Sequence, residues 1–139
     1  MVINLENYDN IAALSKMNKS LWNKDVFPYS QKYIENPFYK DKEWFTTRSD
    51  KDNELPVSLA VIIDDEQLAN SLHISLFETA LPIRGYGYGL ESLQLLIDTI
   101  RDNGYEYVTL RLAEPSLVNF YSKVGFEPWY DNNMILKVN

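Results

Sequence analysis

Arg84-Gly85-Tyr86-Gly87-Tyr88-Gly89 sets three glycines at every second position, directly before a run with helical spacing. Without Cβ atoms a backbone can come close to a ligand, and glycine tolerates positive φ. At the start of a helix four N–H groups lack internal partners, and the dipole end is positive. Loop amides that converge there make an anion site, most naturally for a phosphate or pyrophosphate. The competing reading is a strand-to-helix turn that needs only flexible residues. Two other phosphate-binding loops fit less well. A Walker loop ends in Gly-Lys-Ser/Thr, whereas Leu90 follows Gly89. A dinucleotide fingerprint has G-x-G-x-x-G spacing and an acid at the end of the next strand, whereas Glu106 precedes its strand.

Composition narrows the chemistry further. The chain has 139 residues, 45% of them apolar and 14% aromatic. That suffices for one domain, 1–139, burying roughly two-thirds of its unfolded surface. There is no cysteine, which excludes disulfides, a Cys nucleophile and thiolate metal sites. His73 is the single histidine, so a His-based metal cluster is excluded and no metal is expected. No nucleophile-elbow motif accompanies it for a Ser-His-Asp triad. A net charge of −7 at pH 7 argues against a nucleic-acid partner and favours cationic over anionic acceptors. An anionic cofactor then needs a basic site of its own. The longest unbroken apolar run, Leu59 to Ile63, is far short of the roughly 20 residues of a membrane span. The N-terminus lacks a basic region followed by an apolar one, so the expectation is a cytoplasmic protein with no membrane partner.

Elements must hold the glycines in place, and the chain supplies them in order. Val2 to Leu5 reads as a short strand. Asp9 is placed to cap a helix carrying Ile11, Leu14, Met17, Leu21 and Trp22. Ser30 is placed to cap a second short helix through Tyr33 and Ile34, ended by Asn36-Pro37. Phe38, Tyr39, Trp44 and Phe45 either cap the core or line a pocket. Glu43–Arg48, Val57–Ile63 and Gln67–Thr79 read as a three-strand meander. In its third strand Leu72, Ile74 and Leu76 are apolar at even positions, and the phase inverts at Phe77-Glu78. Side chains alternate with period 2, so the inversion predicts a β-bulge there, unless the strand ends at Leu76. Leu90, Leu93, Leu96, Ile97 and Ile100 then mark a helix ending at Gly104, and Tyr107–Leu112 a strand parallel to the third. A helix opening at Pro115 and closing at Gly125 follows, then strands Phe126–Tyr130 and Met134–Val138. The fold class is α+β with a mixed sheet, in the order β-α-α-β-β-β-α-β-α-β-β.

Over its whole length this order is similar to the fold of the GNAT superfamily of N-acetyltransferases. Arg84, Gly87 and Gly89 occupy the defining positions of that family's R/Q-x-x-G-x-G/A motif. Phe120-Tyr121-Ser122-Lys123-Val124-Gly125-Phe126 resembles its F/L-Y-x-K-x-G-F segment, in the right order after the glycines. The resemblance implies acetyl-CoA as co-substrate. Its pyrophosphate would be held by N–H groups of Gly85, Gly87, Tyr88 and Gly89 with Arg84 beside them. Its pantetheine arm would pair with backbone at Phe77 and Thr79. Many relatives carry an Asn against that arm where this chain has Glu114.

The implied reaction is attack of an amine on a thioester in a ternary complex, there being no Cys for a covalent route. An acceptor resembling lysine enters as ammonium, with pKa near 10.4, and must lose a proton, while the leaving thiolate must gain one. Tyr121 is the donor that the family position suggests; read alone, it belongs to a buried helix stripe. Glu78, at the phase inversion, is the candidate base, with His73 better matched in intrinsic pKa but further back along the strand. The leading function is therefore an acyl-CoA-dependent N-acetyltransferase acting on a small-molecule or peptide amine, as monomer or homodimer. The alternatives are a non-catalytic acyl-CoA-binding module of the same fold, and an acetyltransferase for protein N-termini or lysines.

Overall fold

The computed structural model describes residues 3–10, 12–14, 23–49 and 56–139. Seven strands form one mixed sheet in the order β1-β2-β3-β4-β5-β7-β6. They are β1 (Ile3–Tyr8), β2 (Glu43–Ser49), β3 (Pro56–Asp64), β4 (Ser71–Thr79), β5 (Tyr107–Arg111), β6 (Glu127–Pro128) and β7 (Asn133–Lys137). The helices are α1 (Gln31–Glu35), α2 (Tyr88–Asp102) and α3 (Val118–Ser122), the last entered through a 3₁₀ turn at Pro115–Leu117. Among the described residues only β4 and β5 run parallel, joined by α2; the other neighbours are antiparallel.

Two apolar clusters sandwich the sheet. On one face Leu93, Leu96, Ile97 and Ile100 of α2 pack on Phe45, Ala60, Ile62, Leu72, Ile74, Val108 and Leu110. On the other, Leu14, Val26, Phe27 and Ile34 cover Trp44, Leu59, Val61 and Leu76. α2 is also pinned by hydroxyls, with Ser92 Oγ 2.8 Å from Thr47 Oγ1, itself 2.6 Å from Ser58 Oγ.

Several local readings change. Of the first helix, residues 12–14 are described and helical, while Ile11, Met17, Leu21 and Trp22 lie outside the described residues. Its cap is Asn10 rather than Asp9: Asn10 Oδ1 accepts from Ala13 N–H at 2.8 Å. The third strand begins at Ser71, not Gln67, because Asp65 Oδ1 accepts from the N–H groups of Gln67 and Leu68 at 2.8 and 2.9 Å and holds those residues in a turn. β6 spans only Glu127–Pro128, since Trp129 to Asn132 form the turn to β7.

The bulge exists but lies earlier than Phe77-Glu78. Val61 pairs with Leu76 and Ile62 with Ile74, so Ser75 is the extra residue. Ile74 accordingly packs in the α2 cluster and Leu76 in the opposite one. Both faces of β4 are apolar, and an unbroken run of alternate leucines and isoleucines hides a flip that leaves each of them buried.

Candidate functional site

Parallel pairing between β4 and β5 stops at Ile74 and Leu110. From the bulge onward β4 stays paired to β3 as far as Thr79, so its other edge, Ser75 to Thr79, has no strand beside it. Into this opening face Leu112, Ala113 and Glu114 from the segment after β5, Leu117 from the 3₁₀ turn, and Phe120 and Tyr121 from α3. The result is a cleft of about 1220 Å³ running from the glycine loop to the aromatic end of the chain's first half. Ser75 lines it, with its Oγ buried and without a hydrogen-bond partner among the described residues.

At one end, Gly85 and Gly87 adopt φ of +91° and +84°, and a Cβ on either would point into open space. Gly87 is the N-cap of α2, whose 15 residues put a substantial dipole end at the cleft. Gly89 is different. Helical and buried, it would bring a Cβ to 2.4 Å from Thr79 Oγ1. Two glycines set the turn and the third lets α2 close onto β4. Arg84, Gly85, Gly87, Gly89, Phe77 and Thr79 all line the cleft. The Tyr88 ring instead stacks on Tyr86, 6.1 Å between centroids. Arg84, Arg111 and Lys123 are the Lys and Arg side chains that line the cleft.

Glu78 stands apart from its expected role. Its side chain is 3% exposed, and four donors surround it. Oε1 accepts from Ser30 N–H at 2.8 Å and Ser30 Oγ–H at 2.6 Å, and Oε2 from Tyr29 N–H at 3.0 Å and the Arg84 guanidinium at 2.8 Å. A carboxylate offers about four lone-pair sites, and here all are occupied. Glu78 is a clamp tying the start of α1 and the glycine loop to β4, with no acceptor site left for a substrate proton. Ser30 does stand at the N-cap of α1, but its hydroxyl goes to Glu78 and makes no cap bond. Arg84 is drawn back the same way, its Nε donating to Thr79 O at 2.9 Å.

The far end is walled by phenols. Tyr29, Tyr33 and Tyr39 line the cleft, with centroids 5.8 Å apart for the first pair and 5.1 Å for the second. Lys32 sets its ammonium 4.2 Å over the Tyr29 ring. Of the four aromatics whose role stood open, Trp44 and Phe45 belong to the core, Tyr39 to the cleft, and Phe38 is exposed. Burial, and then a hydrogen bond to Tyr29, raises the Tyr33 phenol well above its ordinary range. Tyr121 lies between Phe120 and Phe126, 5.1 and 5.9 Å away. Burial, and then the Tyr29 phenol, pushes it up to about 12. It therefore stays protonated at any working pH, a hydrogen-bond donor in an apolar wall.

Sequence reasoning did not single out Tyr29, Tyr33, Arg111 or Lys123 as lining. Lys123 stands inside the quoted Phe120–Phe126 segment and Tyr29 beside Ser30, but only the folded sheet brings them to one cleft.

No family model and no curated protein sequence matches the chain. Solved structures do match its fold. A GNAT-family protein from Desulfovibrio desulfuricans superposes with a TM-score of 0.67 at 10% identity, covering 99% of this chain and 100% of its own. Tetrahymena GCN5 superposes at 0.70 with 11% identity, covering 100% and 97%. The ribosomal-protein-S18-alanine N-acetyltransferase of Escherichia coli does so at 0.62 with 15% identity, covering 99% and 95%. The chain has the GNAT fold.

Proposed function

We propose that the chain is an acetyl-CoA-dependent N-acetyltransferase whose acceptor is a cationic small-molecule or peptide amine. One observation carries the reading: a single cleft joins a glycine-lined helix start, an unpaired strand edge and a buried phenol. Each part suits one portion of an acyl-CoA. The pyrophosphate fits the space beside Gly85 and Gly87 at the start of α2, where a side chain would otherwise stand. The edge of β4 at Phe77 and Thr79 offers backbone groups to the pantetheine arm, as an added strand would use them. Acetyl-CoA supplies a thioester carbonyl open to attack by an amine.

The chain's own groups then do three things. Backbone N–H groups along the open edge of β4 stabilise the oxyanion that forms on attack. Tyr121 donates a hydrogen bond to the departing sulfur. A phenol near 12 would give up its proton to a thiolate whose conjugate thiol has an ordinary pKa of about 8.5 only uphill, by about 5 kcal/mol, so it acts by donating the bond and passes the proton on only as its own is replaced. Tyr29, Tyr33 and Tyr39 receive the acceptor. Their ring faces already hold the Lys32 ammonium, and cation–π contacts suit a second cation on an acidic chain.

Thermal unfolding with acetyl-CoA tests the cofactor: at 100 times its Kd the stabilisation should be about 2.7 kcal/mol. Thiol release across an amine panel tests turnover, with polyamines and lysine-like amines ahead of anionic acceptors and the preference fading in salt. No shift at millimolar acetyl-CoA would remove the cofactor. A shift without turnover on any amine would leave an acyl-CoA-binding module.

A further inference from the structure

His73 lines the cleft and also a second cavity of about 290 Å³, walled by Asp65, Thr109, Trp129 and Tyr130. It pairs in register with Thr109 across the parallel strands, on the side of the bulge where β4 and β5 still touch. His73 Nδ1 is 2.8 Å from Thr109 Oγ1. The Thr109 hydroxyl hydrogen is committed to Asp65 Oδ2, so toward the imidazole that oxygen can only accept. Nδ1 must then carry the hydrogen, which leaves Nε2 a bare acceptor on a residue that lines the cleft. With every acceptor site of Glu78 filled, this nitrogen is the base that β4 offers to the cleft; the Glu114 carboxylate lies on the segment after β5.

Resting on the acetyltransferase reading above, we propose that His73 takes the proton from the incoming ammonium, and that Thr109 and Asp65 are positioning residues that fix its tautomer. The proton count closes. One ammonium proton passes to Nε2, and the amine lone pair forms the C–N bond. As the C–S bond breaks, a second proton leaves nitrogen and reaches sulfur by way of the Tyr121 phenol. His73 returns its proton to water, so amide, thiol and one free proton are the products.

Asp65 suits its part. Burial works against its charge, but the bonds from Thr109, Gln67 and Leu68, with His73 nearby, outweigh burial and hold its pKa below the ordinary value. It stays a carboxylate and stabilises the imidazolium once formed. Burial lowers His73, opposed in part by Asp65, which keeps the ring neutral and ready to accept. The other ionisable groups lining these two cavities are Glu78, Arg84, Arg111, Glu114, Lys123 and the phenols of Tyr29, Tyr33, Tyr39 and Tyr121 toward the cleft, and Asp64, Glu66 and Tyr130 around the second cavity.

As the single histidine, His73 gives one imidazole signal in ¹⁵N NMR, readable without any substrate. The expected result is the Nδ1–H tautomer in the parent, lost in Thr109→Val and kept in Thr109→Ser. In kinetics, His73→Gln should lower kcat by about 10²–10⁴-fold with KM for acetyl-CoA unchanged. Thr109→Val should lower kcat by about 10-fold, and Thr109→Ser should restore it. An Nε2–H parent, or His73→Gln at the parental rate, overturns the proposal. An Nδ1–H parent that turns over no amine overturns the acetyltransferase reading and the base with it, while the Asp65–Thr109–His73 orientation stands.

Discussion

Glu78→Gln separates a clamp from a base, because the two roles predict opposite pairs of results. The amide keeps the shape of the side chain but replaces one oxygen by an NH₂ group. Each oxygen takes two donors, so either orientation of the amide sets donor against donor at two of the four contacts. The cheaper orientation sacrifices the Oε2 side. There Arg84, 43% exposed, regains water, and the principal cost is Tyr29 N–H. Leaving one buried donor unsatisfied costs about 1–3 kcal/mol. For a chain of this size that lowers Tm by about 2–12 °C. Glu78→Ala goes further. It also strips Ser30 N–H and Oγ–H of their acceptor in a residue with no exposed surface, about 2–6 kcal/mol for those two donors. Calorimetry on the parent and both variants measures this directly, and kcat on the same samples completes the comparison. A Glu78→Gln chain that melts within about 1 °C of the parent yet turns over at least about 10²-fold more slowly would refute the clamp and make Glu78 a base.

Gly89→Ala should abolish the thermal shift given by acetyl-CoA, since its Cβ would lie 2.4 Å from Thr79 Oγ1 on the cleft wall. Gly87→Ala has free space but a φ of +84°, so it should cost about 1 kcal/mol of stability and weaken the shift; equal shifts in all three chains would remove the loop from the site. Tyr121→Phe should reduce kcat by about 10–150-fold, the worth of a hydrogen bond to a charged group, with KM for acetyl-CoA unchanged. Because its phenol sits near 12, the parent's pH–rate profile below pH 10 should show no break that the Phe variant removes. Asp65 has a folded pKa below its usual 3.8, so its stabilising effect is complete above that value and is lost as pH falls through the folded pKa. Asp65→Asn should therefore flatten the acid limb of Tm against pH, and an unchanged limb would contradict the depressed pKa.

What could be read from the sequence was what depends on neighbours along the chain. Gly85 and Gly87 announce positive φ, Gly104 and Gly125 close their helices, and the α2 stripe keeps a strict helical period. Those signals sufficed for the element order and for the glycine loop at a helix start. Positions settled by distant contacts were not legible. Glu78 looked like a strand-edge carboxylate, because nothing near it shows that Ser30, 48 residues away, brings two donors to it. Ser30 read as a helix cap for the same reason. The bulge was displaced from Ser75 to Phe77-Glu78 because both faces of β4 pack against apolar clusters, and hydrophobic period marks a flip only where one face is wet. The same ambiguity has a functional side. A strand buried on both faces can absorb an extra residue without exposing a leucine, so it can lose its neighbour β5 at Ile74 and still keep its core contacts. The unpaired edge that makes the cleft therefore comes at little cost to the sheet. His73 stands just before the flip, where the strands still touch, and Tyr121 lines the cleft just beyond it.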